Sequence, residues 1–183
     1  MRVFRIERKR YLATTLTGQG ASLASGFRWN SESTRLVYTA ATRSLAMLEI
    51  MAHLDASEDL PTDRFFVEIE VPDALAIRVV EAHDLPEGWD ARPPNRFTQR
   101  LGDEFVRNPT AAVLQVPSAI IPEEFNFLLN PAHPDARRLQ IVKTTPLQFD
   151  ARMRPSSASP PTPATDPSAT SRAGRRRAGP SLK

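Results

Sequence analysis

Three side chains that could take part in chemistry lie close together in sequence that otherwise resembles protein core. They are Arg28 in a Gly-Phe-Arg-Trp-Asn segment, Tyr38 in a strand-like segment and Glu49 in a helical pattern. A core seldom accepts charged groups without partners, so this set indicates a site. The forked donors of an arginine suit phosphate groups, and a fixed carboxylate suits developing positive charge. A structural ion pair between Arg28 and Glu49 is the alternative interpretation.

The elements that must position these residues are a strand and the helix that directly follows it. Residues 35–39 have strand character, and Thr39 or Thr42 could cap a helix over residues 42–54. Helical spacing places Glu49 on an apolar face of this helix. Because apolar residues cover much of the remaining surface, we expect the helix to be buried on several sides.

The rest of the chain is predicted to form short strands and one further helix. Small and polar residues with three glycines predict a loop over residues 13–26. Phe97, Leu101 and Phe105 recur every four residues and predict an amphipathic helix, although Gly102 has low helix propensity. Further strands are predicted at residues 3–6, 65–71, 77–80, 112–118, 125–129 and 139–143. The predicted fold class is α+β, a compact domain with a mixed or antiparallel sheet and flanking helices.

Charge divides the chain into two parts. Residues 154–183 hold six of the 24 basic residues and one of the 21 acidic residues, which leaves 18 basic and 20 acidic residues in 1–153. We therefore expect no direct nucleic-acid binding by the folded domain. The last thirty residues are also rich in proline and serine, which predicts disorder. The predicted organisation is a domain over residues 1–150 and a disordered tail over 151–183.

Several classes of protein are disfavoured by composition. The chain has no cysteine, and its three histidines are not spaced as a pair on one helical turn, so no metal site is expected. No run of about 18 apolar residues occurs, and the first residues lack the apolar region of a signal peptide. These features predict a cytoplasmic protein with no membrane association.

The motifs, taken in order, resemble the RES domain, the toxin half of the bacterial RES–Xre toxin–antitoxin systems. The resemblance covers roughly residues 2–146, and it rests on the order and spacing of several short motifs. These are Arg5, Gly26-Phe27-Arg28-Trp29-Asn30, Val37-Tyr38-Thr39, Leu48-Glu49, Val116-Pro117-Ser118 and Asn130-Pro131-Ala132-His133. One departure is visible at Phe27, where the family usually has a second glycine, and a bulky residue there restricts backbone angles and close approach to a ligand.

The resemblance implies a fold like that of ADP-ribosyltransferases and a site that acts on NAD as substrate without a metal. Glu49 would be the catalytic carboxylate. Arg28 would share the catalytic work and bind the phosphates or ribose of NAD, with Arg5 assisting. Tyr38 would pack on the nicotinamide side, and Ser118 would bind NAD through a hydrogen bond within the pocket.

The implied function is that of a type II toxin that cleaves the nicotinamide–ribose bond of NAD, with water or phosphate as acceptor. An ADP-ribosyltransferase that modifies a cellular protein is one alternative, and a non-catalytic binding protein is another. The implied partner is an Xre-type antitoxin, and a homo-oligomer within the toxin–antitoxin complex is a further possibility. The sequence does not decide whether water, phosphate or a protein accepts the ADP-ribose.

Overall fold

The computed structural model describes residues 1–54 and 60–153, and within these ranges seven strands form one mixed sheet. The strand order is β4-β5-β6-β2-β1-β3-β7, in which only the β4–β5 pair is parallel. The strands are β1 (Arg2–Arg8), β2 (Val37–Ala40), β3 (Arg64–Glu70), β4 (Ile77–Val79), β5 (Val113–Pro117), β6 (Phe125–Leu129) and β7 (Gln140–Pro146). The predicted α+β class with a mixed sheet is confirmed.

The described helices are short and lie on both sides of the sheet. They are α1 (Gln19–Ser22), α2 (Arg43–Met51) and α3 (Arg96–Arg107), with 3-10 helices at Lys9–Thr17, Ala82–Asp84, Pro134–Arg138 and Ala151–Met153. The loop predicted over residues 13–26 is therefore wrong in part, because a 3-10 helix and α1 occupy most of it. Leu12 and Leu16 of the 3-10 helix pack on the sheet, which stabilises a turn that local propensity alone does not indicate.

One face of the sheet carries an aliphatic core. Alternate strand residues point to opposite faces, and Val3, Val37, Val67 and Phe127 from four strands meet on this one. The first three are at most 1% exposed, and burying a side chain of this kind stabilises the fold by about 1.5–3 kcal/mol. The core thus holds together the strands on both sides of the β1–β2 junction.

The opposite face carries α3 and an aromatic core. Asn95 caps α3 by accepting hydrogen bonds from two backbone N–H groups of the first turn, at 3.0 and 3.1 Å. Phe105 of α3 packs in this core with Trp29 and Trp89, whose ring centroids lie 6.0 Å apart. Close packing explains the glycine at position 102, since an added Cβ would meet the carbonyl oxygen of Trp29 at 1.7 Å.

Helix α2 is shorter and more exposed than the sequence predicts. Thr42 caps it by accepting a hydrogen bond from the backbone N–H of Leu45 at 3.0 Å, and the helix ends at Met51. Its buried residues are Leu45 and Ala46, whereas Leu48 is 38% exposed. The expected burial on several sides is wrong because α2 packs against the sheet along one side only.

A local separation of strands gives the fold its cavity. In the register, β1 and β2 share a single pair, Phe4 with Ala40, whereas β1 and β3 pair along seven residues. Beyond Phe4 the two central strands separate, and the guanidinium of Arg5 reaches the carbonyl oxygen of Tyr38 at 3.4 Å. The opening lies beside α2, which places Glu49 next to it.

Two expectations concern features outside or at the limit of the described ranges. The tail was predicted from residue 151, and Ala151–Met153 forms a 3-10 turn. Residues 154–183 lie outside the described residues, so their predicted disorder and the domain boundary stay predictions. None of the helices found in 1–54 and 60–153 is long and apolar enough to cross a membrane.

Candidate functional site

Four of the five predicted site residues line one cavity. It has a volume of about 450 Å³ and is bounded by α2, the separation of β1 and β2, and the loop after Trp89. Arg5, Arg28, Tyr38 and Glu49 are among its lining residues, and its size is typical of small-molecule sites. Residues that lie far apart in the chain therefore meet at a single concave surface.

Arg28 is held by backbone carbonyl groups. Its Nη1 donates to the carbonyl oxygens of Trp89 at 2.7 Å and Ala91 at 3.1 Å, and its Nη2 donates to that of Asp90 at 3.0 Å. Desolvation by burial lowers the pKa of Arg28, and the nearby Asp90 opposes this effect. The group remains a cation, because an arginine pKa lies far above neutral pH.

The structural ion pair between Arg28 and Glu49 does not form. No carboxylate in the described part of the chain comes within 4.0 Å of the Arg28 guanidinium. Carbonyl dipoles orient this cation without neutralising it, so its charge remains available to an anion in the cavity.

Glu49 is fixed by two donors on one oxygen. Its Oε1 accepts a hydrogen bond from Oγ of Ser118 at 2.9 Å and another from Nδ2 of Asn126 at 2.6 Å. No described residue donates to its other oxygen, Oε2. The carboxylate thus has one anchored oxygen and one that is open to a ligand.

Ser118 lies behind Glu49 and does not line the cavity. It is fully buried, at 0% exposure. Besides donating to Glu49, its Oγ accepts hydrogen bonds from the backbone N–H groups of Ile120 at 3.1 Å and Ile121 at 3.2 Å. A side chain in this position orients the carboxylate and has no surface for a ligand, which differs from the ligand-contacting role predicted for it.

Tyr38 contributes its ring to the cavity and uses its hydroxyl group for structure. The hydroxyl donates to Oδ1 of Asn30 at 2.7 Å and accepts from the backbone N–H of Trp29 at 3.1 Å. Burial raises the pKa of Tyr38 far above its usual value, so the hydroxyl remains neutral. Phe27 packs on the ring at a centroid distance of 5.2 Å.

Arg5 is partly neutralised. Its Nη2 forms an ion pair with Oε2 of Glu7 at 2.6 Å, and the side chain is about one-fifth exposed. Its Nε is buried without a hydrogen-bond partner among the described residues. Arg5 therefore lines the cavity with less free charge than Arg28.

Phe27 does not strain the backbone. The positive φ angle of this segment, 93°, falls on Gly26, and in the described ranges Ser33 is the one non-glycine residue with a positive φ. A glycine-like backbone angle is therefore not needed at Phe27, because Gly26 supplies the turn. What Phe27 changes is the cavity wall, which its ring shares with Tyr38.

The sequence prediction missed several residues of this site. Asn126 interrupts an apolar strand, Phe-Asn-Phe-Leu-Leu, and a polar residue in such a run is a signal that could have been used. Asn30, which is 1% exposed, connects the site segment to the carbonyl oxygens of Ala21, Ser31 and Thr34. Other lining residues lie in loops or just after a helix, where no local sequence pattern indicates a site. They are His53, Asp90, Arg92, Pro93, Pro94, Ala119 and Ile120.

A sheet that separates at its centre, with a cation and an anchored carboxylate in the opening, defines a protein with a pocket of the size that small molecules occupy. The family model of the RES domain matches residues 2–150. The chain therefore belongs to the RES domain family, and the resemblance seen in the motifs is confirmed.

Curated relatives in this family are toxins. The chain is 43% identical over 145 residues to the "Prs ADP-ribosylating toxin" of Sphingobium sp. (strain YBL2), covering 78% of this chain and 89% of the relative. It is 36% identical over 155 residues to "Toxin Res" of Yersinia enterocolitica, covering 84% of this chain and 100% of the relative. This chain is thus a toxin of the RES type, as the resemblance implied.

A solved structure has the same fold. A chain of the crystal structure of the M. tuberculosis MbcT–MbcA toxin–antitoxin complex matches with a TM-score of 0.60 and 18% sequence identity. The match covers 80% of this chain and 83% of that chain. At this level of identity the likeness concerns the fold alone, and it agrees with the sheet and helices described above.

Proposed function

We propose that this chain is an enzyme that consumes NAD by breaking the bond between nicotinamide and ribose. The observation that carries the proposal is the pairing, in one cavity, of the un-neutralised Arg28 with the anchored carboxylate of Glu49. A dianionic pyrophosphate suits the first group, and a ribose that gains positive charge suits the second.

The reaction balances without a metal or a redox partner. The bond between ribose C1′ and the nicotinamide nitrogen breaks, and its electron pair leaves with nicotinamide, which departs as a neutral molecule. Positive charge then develops across C1′ and the ring oxygen, as in glycoside hydrolysis, and the Glu49 carboxylate stabilises it. An oxygen of water or phosphate bonds to C1′, and an acceptor that carries a proton loses it to solvent.

The other site residues support these two groups. Arg28 binds the pyrophosphate. Arg5 assists with the part of its positive charge that the ion pair with Glu7 does not neutralise. The Tyr38 ring offers a flat surface to the nicotinamide side of the cavity. Ser118 acts through Glu49 by holding its Oε1, since the hydroxyl itself is buried.

Transfer of ADP-ribose to a protein is the second candidate. The name of the Sphingobium relative, an ADP-ribosylating toxin, favours it. The cleavage step is the same, and the acceptor oxygen is replaced by a side chain of a target protein. Products separate the two candidates, because hydrolysis yields free ADP-ribose and transfer yields a labelled protein.

An antitoxin is the proposed partner, and an Xre-type protein is the specific form we expect. The fold match to a toxin from a toxin–antitoxin complex and the names of the relatives support this. An antitoxin made in the same cell silences such an enzyme by covering or closing the cavity. We expect the toxin, its antitoxin and NAD to meet in the cytoplasm.

The test is nicotinamide release from NAD by the purified chain, with and without phosphate. The wild type should release nicotinamide, and Glu49→Gln should lower kcat on the order of 10²-fold or more, because loss of a charge that stabilises the transition state has effects of this size. Glu70→Gln, an exposed glutamate on β3, is the matched control and should leave kcat unchanged.

One result would contradict the proposal, and another would replace water or phosphate by a protein acceptor. Folded wild-type protein that releases no nicotinamide, with or without phosphate and with or without cell lysate, would leave the chain a non-catalytic binding protein. Release that appears only with lysate, together with labelled protein from labelled NAD, would select the transfer reaction.

A further inference from the structure

We infer that Asn126 is a positioning residue for Glu49, and that it turns the carboxylate so that Oε2 faces the ribose. The inference rests on the proposed function, because it concerns the rate of the proposed cleavage. None of the motifs that carry the family resemblance includes Asn126, because one of them ends at Ser118 and the next begins at Asn130.

The position of Asn126 in the sheet makes it a rigid donor. It lies on β6 and pairs with Ala40 of β2 on one side and with Val116 of β5 on the other. Neighbouring strands therefore hold its backbone on both edges. Its side chain lines the cavity, and its Nδ2 lies 2.6 Å from Oε1 of Glu49, a distance typical of a strong hydrogen bond to a charged acceptor.

Asn126 and Ser118 approach the same oxygen from separate elements. Ser118 follows the end of β5, and its hydroxyl also accepts hydrogen bonds from two backbone N–H groups. Removal of the Ser118 side chain would therefore disturb the local turn as well. The side chain of Asn126 has Glu49 as its one hydrogen-bond partner in residues 1–54 and 60–153. Removal of the Asn126 side chain therefore frees the Glu49 carboxylate with less disturbance than removal of the Ser118 side chain.

Two donors are needed because a carboxylate held by one donor can still rotate about its final torsion. With Oε1 held from two directions, the plane of the group is set, and Oε2 has one orientation toward the cavity. Catalytic groups that are held in this way lose little entropy when the substrate reacts. Asn126 should consequently affect the rate of cleavage more than the binding of NAD.

A neutral amide is the residue type that this position requires. An aspartate here would bring a second carboxylate to about the same 2.6 Å distance, and two carboxylates that close cannot both ionise readily. One proton would then be shared between them until the pH rises well above the ordinary carboxyl range. The substitution Asn126→Asp should therefore move the acid limb of the kcat profile to higher pH.

The experiment measures kcat, KM for NAD and the pH dependence of kcat for Asn126→Ala and Asn126→Asp. Asn126→Ala should lower kcat by roughly 10- to 100-fold, the range expected for a misplaced catalytic group, with KM within about threefold. Asn126→Asp should shift the acid limb upward by about one pH unit or more. A role limited to stability would change neither kcat nor the balance of kcat and KM in folded Asn126→Ala.

Gln115→Ala is the matched control, because it removes another amide from the same sheet. Gln115 lies on β5 in register with Phe127, on the face opposite to Asn126, and it should leave kcat and the pH profile unchanged. If Asn126→Ala does not fold, the near-isosteric Asn126→Asp decides the question, since an ionised aspartate cannot donate to Oε1 and kcat should then fall with KM within about threefold.

The possible failures are distinguishable. An inactive, folded wild type removes the proposed function and this inference with it. An active wild type combined with an unchanged kcat in Asn126→Ala, or with an unmoved acid limb in Asn126→Asp, overturns the inference alone. A loss of kcat in Asn126→Ala together with the shifted acid limb supports it.

Discussion

The hydroxyl group of Tyr38 donates a hydrogen bond to Oδ1 of Asn30 at 2.7 Å and accepts one from the backbone N–H of Trp29 at 3.1 Å. Asn30 is itself 1% exposed and donates to three carbonyl oxygens. Tyr38 therefore fastens the segment that carries Arg28 to strand β2. The residue predicted from the sequence to face nicotinamide also has a structural task.

Tyr38→Phe should destabilise the fold while keeping the aromatic ring. The change leaves a buried acceptor on Asn30 and a buried N–H on Trp29 without their partner, which costs about 1–3 kcal/mol. Urea unfolding monitored by tryptophan fluorescence measures the loss. Tyr11→Phe is the control, since Tyr11 is 46% exposed and should change stability by less than about 0.5 kcal/mol. Equal urea midpoints for Tyr38→Phe and the wild type would contradict this role.

The raised pKa of Tyr38 predicts a loss of stability in alkaline solution. Above about pH 10 a tyrosine in the unfolded chain loses its proton, whereas burial keeps the proton on Tyr38 in the folded chain. The unfolded state then binds fewer protons, so the free energy of unfolding falls as pH rises. The stability advantage of the wild type over Tyr38→Phe should therefore shrink between about pH 9 and about pH 11. A constant difference would show that Tyr38 titrates normally.

Arg28→Ala should lower kcat/KM for NAD while the protein stays folded. The guanidinium binds the proposed pyrophosphate and also holds the loop 89–91 at the cavity wall. Loss of hydrogen bonds to a charged group costs about 1.5–3 kcal/mol, which corresponds to a decrease of at least about tenfold. Arg100→Ala, an exposed position on α3, is the control and should not change kcat/KM. An unchanged kcat/KM in Arg28→Ala would remove Arg28 from the site.

Gly102→Ala should destabilise the protein although alanine favours helices. A Cβ at this position would lie 1.7 Å from the carbonyl oxygen of Trp29, so α3 or the segment before it must shift. Overpacking of this kind costs about 1–3 kcal/mol. Gly20→Ala is the matched control, because its added Cβ would meet no atom within 4 Å other than those of its chain neighbours and its own helix, so no strain arises. Urea midpoints should fall for the first variant and stay or rise for the second.

Glu68→Gln should reduce the sensitivity of the fold to acid. Arg2 of β1 and Arg43 of α2 both donate to the Glu68 carboxylate, and the hydrogen bond from Arg2 is the main reason that the pKa of Glu68 is lowered. A lowered pKa contributes stability above the unfolded value, near pH 4.3, that is lost as pH falls through the folded value.

The measurement is the urea midpoint of the wild type and of Glu68→Gln over the acid range. Between about pH 5 and about pH 3 the wild type should lose more stability than Glu68→Gln. Glu70→Gln, two residues further along β3, has no ion pair among the described residues and should follow the wild type. Parallel curves for all three proteins would show that the Glu68 cluster does not contribute.

Much of the fold could be predicted from local pattern. Alternation of apolar residues indicated β3, and the four-residue recurrence of Phe97, Leu101 and Phe105 indicated α3, each within a residue or two of the observed bounds. The 3-10 helix Lys9–Thr17 was missed because its stability comes from packing of Leu12 and Leu16 on the sheet. Such a contact depends on residues far away in the chain, which periodicity does not report.

Motif order and local pattern were enough to predict the family, most of the element types and the unusual set of Arg28, Tyr38 and Glu49. What each of these three side chains touches depends on the tertiary fold. Arg28 meets carbonyl groups more than 60 positions away, and Glu49 meets Asn126 from 77 positions away. The physical reason is that the order of strands in the sheet, and not the order in the chain, brings β6 and the end of β5 beside α2. Hydrogen-bond partners follow from that order, and they distinguish a ligand-facing carboxylate from one in an ion pair.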